Sequence, residues 1–247
     1  MRNALSSGVA RALALTALGL LTAGPLGLVG GEPEALAKDH GHGARKGRFE
    51  NGCRVQSPQR FLERRSYHAK GVVDPAKHGR ALRWLVERYG NADDDATTHI
   101  NPQSAHAQAT SVHFMGMPIS VHAKIAPALA CVEKRIAKTC TAGTSRYTAR
   151  AIGGFRSSNT YRGGEVSNHL LGIAVDIDPD RNPCCGCVDP WPNNPLCKKP
   201  GGPYQRASLP ACWVKAFDRY GFDWLGLDEM QDTMHFEFLA DPDRITK

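Results

Sequence analysis

The stretch Ser167-Asn168-His169-Leu170-Leu171-Gly172-Ile173-Ala174-Val175-Asp176 decides how this chain is read, together with Asp232-Thr233-Met234-His235-Phe236-Glu237 far downstream. Ala174-Val175-Asp176-Ile177-Asp178 alternates in the manner of a strand, which turns Asp176 away from the apolar face of Val175 and Ile177. Met234-His235-Phe236-Glu237-Phe238 alternates as well and sets His235 and Glu237 opposite the two phenylalanines. Two such strands side by side bring Asp176 and His235 onto one wall. His169 precedes Asp176 by seven residues, with Gly172 and Ala174 between them. The two stretches therefore offer two imidazoles, one close carboxylate and one spare carboxylate. A hydrolytic metal centre is built from such parts: three protein ligands, an open position for water and a nearby general base.

Ser-x-His-x-x-Gly-x-Ala-x-Asp followed by Asp-x-Met-His-Phe-Glu resembles the zinc peptidases of the VanX/VanY type, and the resemblance covers roughly residues 110 to 240. That family contains D-alanyl-D-alanine carboxypeptidases and dipeptidases and phage L-alanyl-D-glutamate endolysins. The resemblance implies Zn2+ held by His169, Asp176 and His235, with Asp232 as the catalytic acid or base three residues before His235. It implies that Arg156, on an extended run before the first motif, orients substrate and steadies charge on the scissile carbonyl, where a guanidinium favours the transition state. Glu237 shares the ligand face; it is the runner-up base and more simply a partner that fixes an imidazole. Ser167 is expected to bind near the substrate terminus or to support the turn. Tyr161, Arg162 and Glu165 lie in the intervening turn, within possible reach of substrate. The expected activity is hydrolysis of peptidoglycan stem peptides, most simply as a D-alanyl-D-alanine carboxypeptidase. An L-alanyl-D-glutamate endopeptidase and a non-catalytic wall-binding zinc module are the alternatives.

Working outward, the first residues read as an export signal over 1–37. Arg2 and Arg11 lead an apolar stretch from Ala12 to about Val29, and Ala35-Leu36-Ala37 fits a small-x-small cleavage site. Pro25 and several glycines interrupt the apolar run, and no other stretch is long enough to span a bilayer. The expected location is exported, periplasmic or at the cell wall, with no stable membrane insertion after processing. The charge of +7 suits an anionic polymer such as cell wall. The basic residues are scattered and no nucleic-acid motif accompanies them, so nucleic acid is not expected as a partner. Eight cysteines in an exported chain favour disulfides. Cys184, Cys185, Cys187 and Cys197 are spaced so that a structural zinc site is the rival reading.

The expected fold is α+β, a small sheet carrying the zinc site and flanked by helices; that the sheet is mainly antiparallel is implied by the resemblance. Residues 38–51 read as a flexible leader, 52–108 as an N-terminal helical extension, and 109–247 as the catalytic domain with a Cys/Pro-rich insert at 179–209. Asp74-Pro75 opens a helix with Leu82, Leu85, Val86 and Tyr89 on one stripe and Gly90 as its stop. Val112-His113-Phe114 and Ile119-Ser120-Val121 predict a hairpin, and two more helices follow, one with Pro127 near its start and Leu129, Val132 and Ile136 on its buried stripe, the other opening at Pro210. Arg150 to Ser158 reads as a strand leading into a polar turn. His113 and His122 match no ligand position and read as structural. Asp176, Asp178 and Asp180 alternate like calcium ligands, but Arg181 stands where such a loop needs glycine.

Overall fold

Two small hairpins come first in the computed structural model, which describes residues 48–92, 103–141, 143, 146–161, 165–188 and 190–247. The export signal, residues 38–47 of the leader, Arg162 and residues 93–102 lie outside the described residues. Strands β1 (Phe49–Glu50) and β2 (Cys53–Arg54) pair antiparallel. Residues 48–51 were expected to end a flexible leader, and specific contacts hold them instead. Glu50 accepts from Arg135 Nη1 (2.5 Å) and Arg219 Nε (2.9 Å), and Asn51 Nδ2 donates to the Tyr220 hydroxyl (2.8 Å). The one-turn helix α1 (Arg64–Tyr67) leads into β3 (His68–Ala69) and β4 (Val72–Val73), again antiparallel.

Helix α2 (Pro75–Tyr89) starts where Asp74 accepts from the N–H groups of Ala76 and Lys77, both at 3.1 Å, a cap worth about 1 kcal/mol. Its buried stripe is Ala81, Leu85, Val86 and Tyr89; Leu82, expected on the stripe, is only partly buried and Ala81 takes its place. Strands β5 (Ala109–Phe114) and β6 (Met117–His122) form a separate hairpin turned by Met115 and Gly116, both at positive φ (53° and 81°). Helix α3 (Ala126–Thr139) buries Leu129, Val132 and Ile136, the stripe the sequence predicts.

The sheet that carries the site has four strands in the order β7-β8-β10-β9, all antiparallel. Its members are β7 (Ile152–Gly153), β8 (Ala174–Ile177), β9 (Phe222–Trp224) and β10 (His235–Phe238). The strand expected over Arg150 to Ser158 shortens to β7 because Phe155 leaves the sheet: its N–H donates to Ser120 of the β5–β6 hairpin (2.9 Å). Helix α4 (Pro203–Arg206) lies in the insert, and helix α5 (Ala211–Arg219) packs under the sheet. Phe217 of α5 stacks on Phe236 of β10 at 4.0 Å between ring centroids. One face of β10 thus goes to the core, and the other is left to His235 and Glu237.

All eight cysteines are paired: Cys53–Cys131, Cys140–Cys212, Cys184–Cys187 and Cys185–Cys197. The thiolates a structural zinc site at 184–197 would require are consumed in these bridges. The first two tie β2 to α3 and α3 to α5; the other two staple the insert. Among the described residues, no helix is long and apolar enough to cross a membrane.

Candidate metal centre

Asp176 and His235 stand directly opposite one another in the β8–β10 ladder, and Gly153 of β7 is Asp176's partner on the other side. His169 comes from the preceding turn, in which Leu170, Gly172 and Ile173 donate back to Ser167, His169 and Asn168. Gly172 has φ +66°, and a β-carbon there would lie 2.1 Å from the Phe155 ring, so only glycine permits this turn. The three side chains converge: His169 Nε2 is 3.1 Å from Asp176 Oδ2, His235 Nδ1 is 3.0 Å from Asp176 Oδ1, and the two ring nitrogens are 3.2 Å apart. All three residues are buried.

The far nitrogen of each ring is already committed. His169 Nδ1 faces the Gly154 carbonyl at 2.5 Å, and a carbonyl only accepts, so that nitrogen carries the proton. His235 Nε2 faces Glu237 Oε2 at 3.3 Å and donates to it. Glu237 is steadied in turn by Asn168 Nδ2 at 2.7 Å. With both neutral rings so oriented, two imine lone pairs and a carboxylate point at one another, and the Arg156 guanidinium meets the same carboxylate from the rim. Burial opposes charge on His235, but its hydrogen bonds to Asp176 and Glu237 prevail and raise it to about 10. Burial holds His169 down. Burial pushes Asp176 up, yet His169 and His235 outweigh it and keep the carboxyl well below the usual range. The donor set, two imidazoles and one carboxylate with both outer nitrogens pinned, fits a zinc ion.

These residues line a cavity of about 460 Å³. Asp232 lies on its wall, buried, and its Oδ1 has no hydrogen-bond partner. Burial raises the Asp232 carboxyl to about 7; the nearby His235 pulls it down and Asp176 pushes it up. Arg156 is held by its own N–H on the His169 carbonyl (3.2 Å), and its guanidinium bonds Asp176 Oδ2 and, at 3.4 Å, the Thr160 hydroxyl. Its side chain is 36% exposed, so it reaches the cavity from the rim. Ser167 sits inside the turn, where its hydroxyl accepts the His169 N–H (3.4 Å), and it is not among the lining residues. Asp178, one of the possible calcium ligands, is filled by protein donors: the N–H groups of Arg150 and Ala151, the Tyr147 hydroxyl and Arg181. His122 is a structural residue, donating to the Tyr89 carbonyl and accepting from Lys124 N–H, each at 3.1 Å.

Sequence reasoning did not find Arg64. This buried guanidinium, from α1, lines the cavity and binds Asp228 (2.6 Å) and both oxygens of Glu165 (2.9 and 3.0 Å). Its partners lie 164 and 101 residues away, and nothing in Glu63-Arg64-Arg65 distinguishes it from a surface charge run. Tyr161 and Glu165 also line the cavity, as do Cys184, Gly186, Cys187 and Trp191 of the insert.

Residues 160–238 match the model of a family described as D-alanyl-D-alanine carboxypeptidase, a stretch that spans His169, Asp176, Asp232 and His235. No curated protein and no solved structure matches the chain.

Proposed function

We propose, from the premise that residues 160–238 are those of the zinc-dependent D-alanyl-D-alanine carboxypeptidase family, that this chain is an exported peptidase that removes D-alanine from peptidoglycan stem peptides. The family match supports a metallopeptidase acting on substrates of the peptidoglycan type; the bond and the export are our reading. Four disulfides are in keeping with an oxidising compartment. The observation that carries the proposal is the convergence of His169 Nε2, Asp176 and His235 Nδ1 beside the buried Asp232 carboxyl, whose Oδ1 has no hydrogen-bond partner, in one cavity.

His169, Asp176 and His235 are the residues that would hold zinc. The chemistry a zinc ion supplies when bound is Lewis acidity and a water acidified toward neutrality. Asp232 Oδ1 is the atom suited to take the proton of the attacking water and return it to the leaving amine. Arg156, on the rim, holds the carbonyl side of the scissile bond and favours charge that develops there. Glu237 and the Gly154 carbonyl fix the two imidazoles. Ser167 supports the turn that presents His169.

The test is to incubate the processed protein, disulfides intact, with defined stem peptides, with and without chelator and added zinc, and to weigh the products. Loss of a terminal D-alanine, abolished by chelator and restored by zinc, is the expected result. Cleavage between L-alanine and D-glutamate would keep the chemistry and overturn the bond assignment. No cleavage by zinc-loaded protein would overturn the enzyme reading.

A further inference from the structure

The start of the insert is zipped to the residues around Asp232. Thr233 donates its N–H (3.2 Å) and its hydroxyl (2.9 Å) to the Pro183 carbonyl. Cys184 stands opposite Asp232 in an antiparallel bridge. The Cys185 N–H donates to Gln231 (3.2 Å) and the Gly186 N–H to Met230 (2.6 Å). Glycine is required at 186, because a β-carbon there would lie 2.6 Å from the Met230 carbonyl and 2.7 Å from that of Glu229. The Cys184–Cys187 disulfide closes this loop on itself, and its two sulfurs lie within 4.8 Å of an Asp232 carboxylate oxygen. Asp232 Oδ1 has no hydrogen-bond partner, although the Met234 N–H bonds the carboxyl and the Asp232 N–H donates to the Leu225 carbonyl (3.1 Å). Backbone pairing with the closed loop adds to these contacts along the whole segment from Met230 to Thr233.

We propose that the Cys184–Cys187 disulfide is the positioning element of the Asp232 carboxyl, and that it makes turnover sensitive to dithiol reductants. The inference rests on the reading of Asp232 as the proton-carrying group. A closed ring holds 184–186 in register with 230–232; opened, a loop containing Gly186 regains backbone freedom and the pairing frays. Cys187 is the accessible sulfur, since Cys184 is only 1% exposed while Cys187 is half-buried on the cavity wall. A dithiol attacks Cys187 Sγ, the S–S bond breaks and Cys184 leaves as a thiolate. The second thiol of the reductant then displaces Cys187. Both cysteines end as thiols, and two electrons and two protons have come from the dithiol, which ends as a disulfide.

The experiment uses the exported protein and three variants: Cys184→Ser with Cys187→Ser, Gly186→Val with the disulfide intact, and Cys185→Ser with Cys197→Ser as a control on the insert's other staple. Zinc content, kcat, KM and the exchange rates of the residue 185 and 186 amides are measured for each. The first two variants are expected to keep one zinc and a near-normal KM, to lose about 10–100-fold in kcat, and to exchange both amides faster. The control is expected to keep its kcat. Wild-type kcat with protected amides in the Cys184/Cys187 variant overturns the proposal. So does an equal kcat loss in the control, which would make general loosening of the insert responsible. If the unaltered protein cleaves no stem peptide, the proposed function falls, while the exchange rates still decide whether this disulfide holds the Asp232 segment.

Discussion

Two buried charge clusters contribute to the lining of one cavity, and they are completed in different ways. On one side Arg64 is clamped between Glu165 and Asp228, so that one guanidinium serves two buried carboxylates. On the other, His169, Asp176 and His235 turn three acceptors toward one another, while their outer nitrogens are spent on Gly154 and Glu237. The first cluster is closed in that its carboxylates meet a guanidinium within the protein, although Asp228 Oδ2 has no hydrogen bond. The second is open: Arg156 reaches Asp176 only from the rim, and two imidazole nitrogens are left facing one another beside it.

Variants should separate the two. Asp232→Asn leaves both clusters' partners in place, and it is expected to keep zinc while lowering kcat by about 10²–10⁴-fold in the stem-peptide assay. Arg64→Met strands two buried carboxylates; it should cost about 3–5 kcal/mol in denaturant unfolding yet leave the zinc stoichiometry unchanged. Loss of zinc in that variant would show that the two walls are one unit. Glu237→Gln still accepts from His235 but without full charge, and zinc affinity measured by competition with a chelating dye should fall by about 10–100-fold.

The smallest effect sharpens the contrast with histidines outside the site. Burial holds His122 neutral and pushes its pKa down to about 4, below the ordinary 6.5. A folded value below the unfolded one gives stability that is fully present above pH 6.5 and is lost as pH falls toward 4. Asp223 slopes the other way: burial raises it to about 7, so its share is present below the usual carboxylate value of 3.8 and is lost as pH rises toward 7. Thermal melts of His122→Asn against the parent isolate the first term, since the amide can replace both hydrogen bonds. The parent should lose more stability than the variant between pH 7 and pH 4.

Much of the open cluster was legible because it is written locally. Alternation in 174–178 and 234–238 gives each strand its faces, and a two-residue period allows Asp176 and His235 only one shared wall. The α+β class and the buried stripes of α2 and α3 were readable for the same reason. The closed cluster was not, because Arg64, Glu165 and Asp228 are brought together by tertiary packing and carry no periodic signal. The disulfide pairing was equally hidden: spacing alone does not say that Cys184 closes on Cys187 and Cys185 on Cys197. The short β7 was misjudged in length because Phe155 is drawn off by Ser120, a contact between distant segments.

The most direct test of the open cluster is the zinc content of the purified protein by native mass spectrometry, beside Asp176→Ala. One zinc per chain in the parent and none in the variant is the expected result. A parent that takes up no zinc, or a variant that keeps it, would contradict the account.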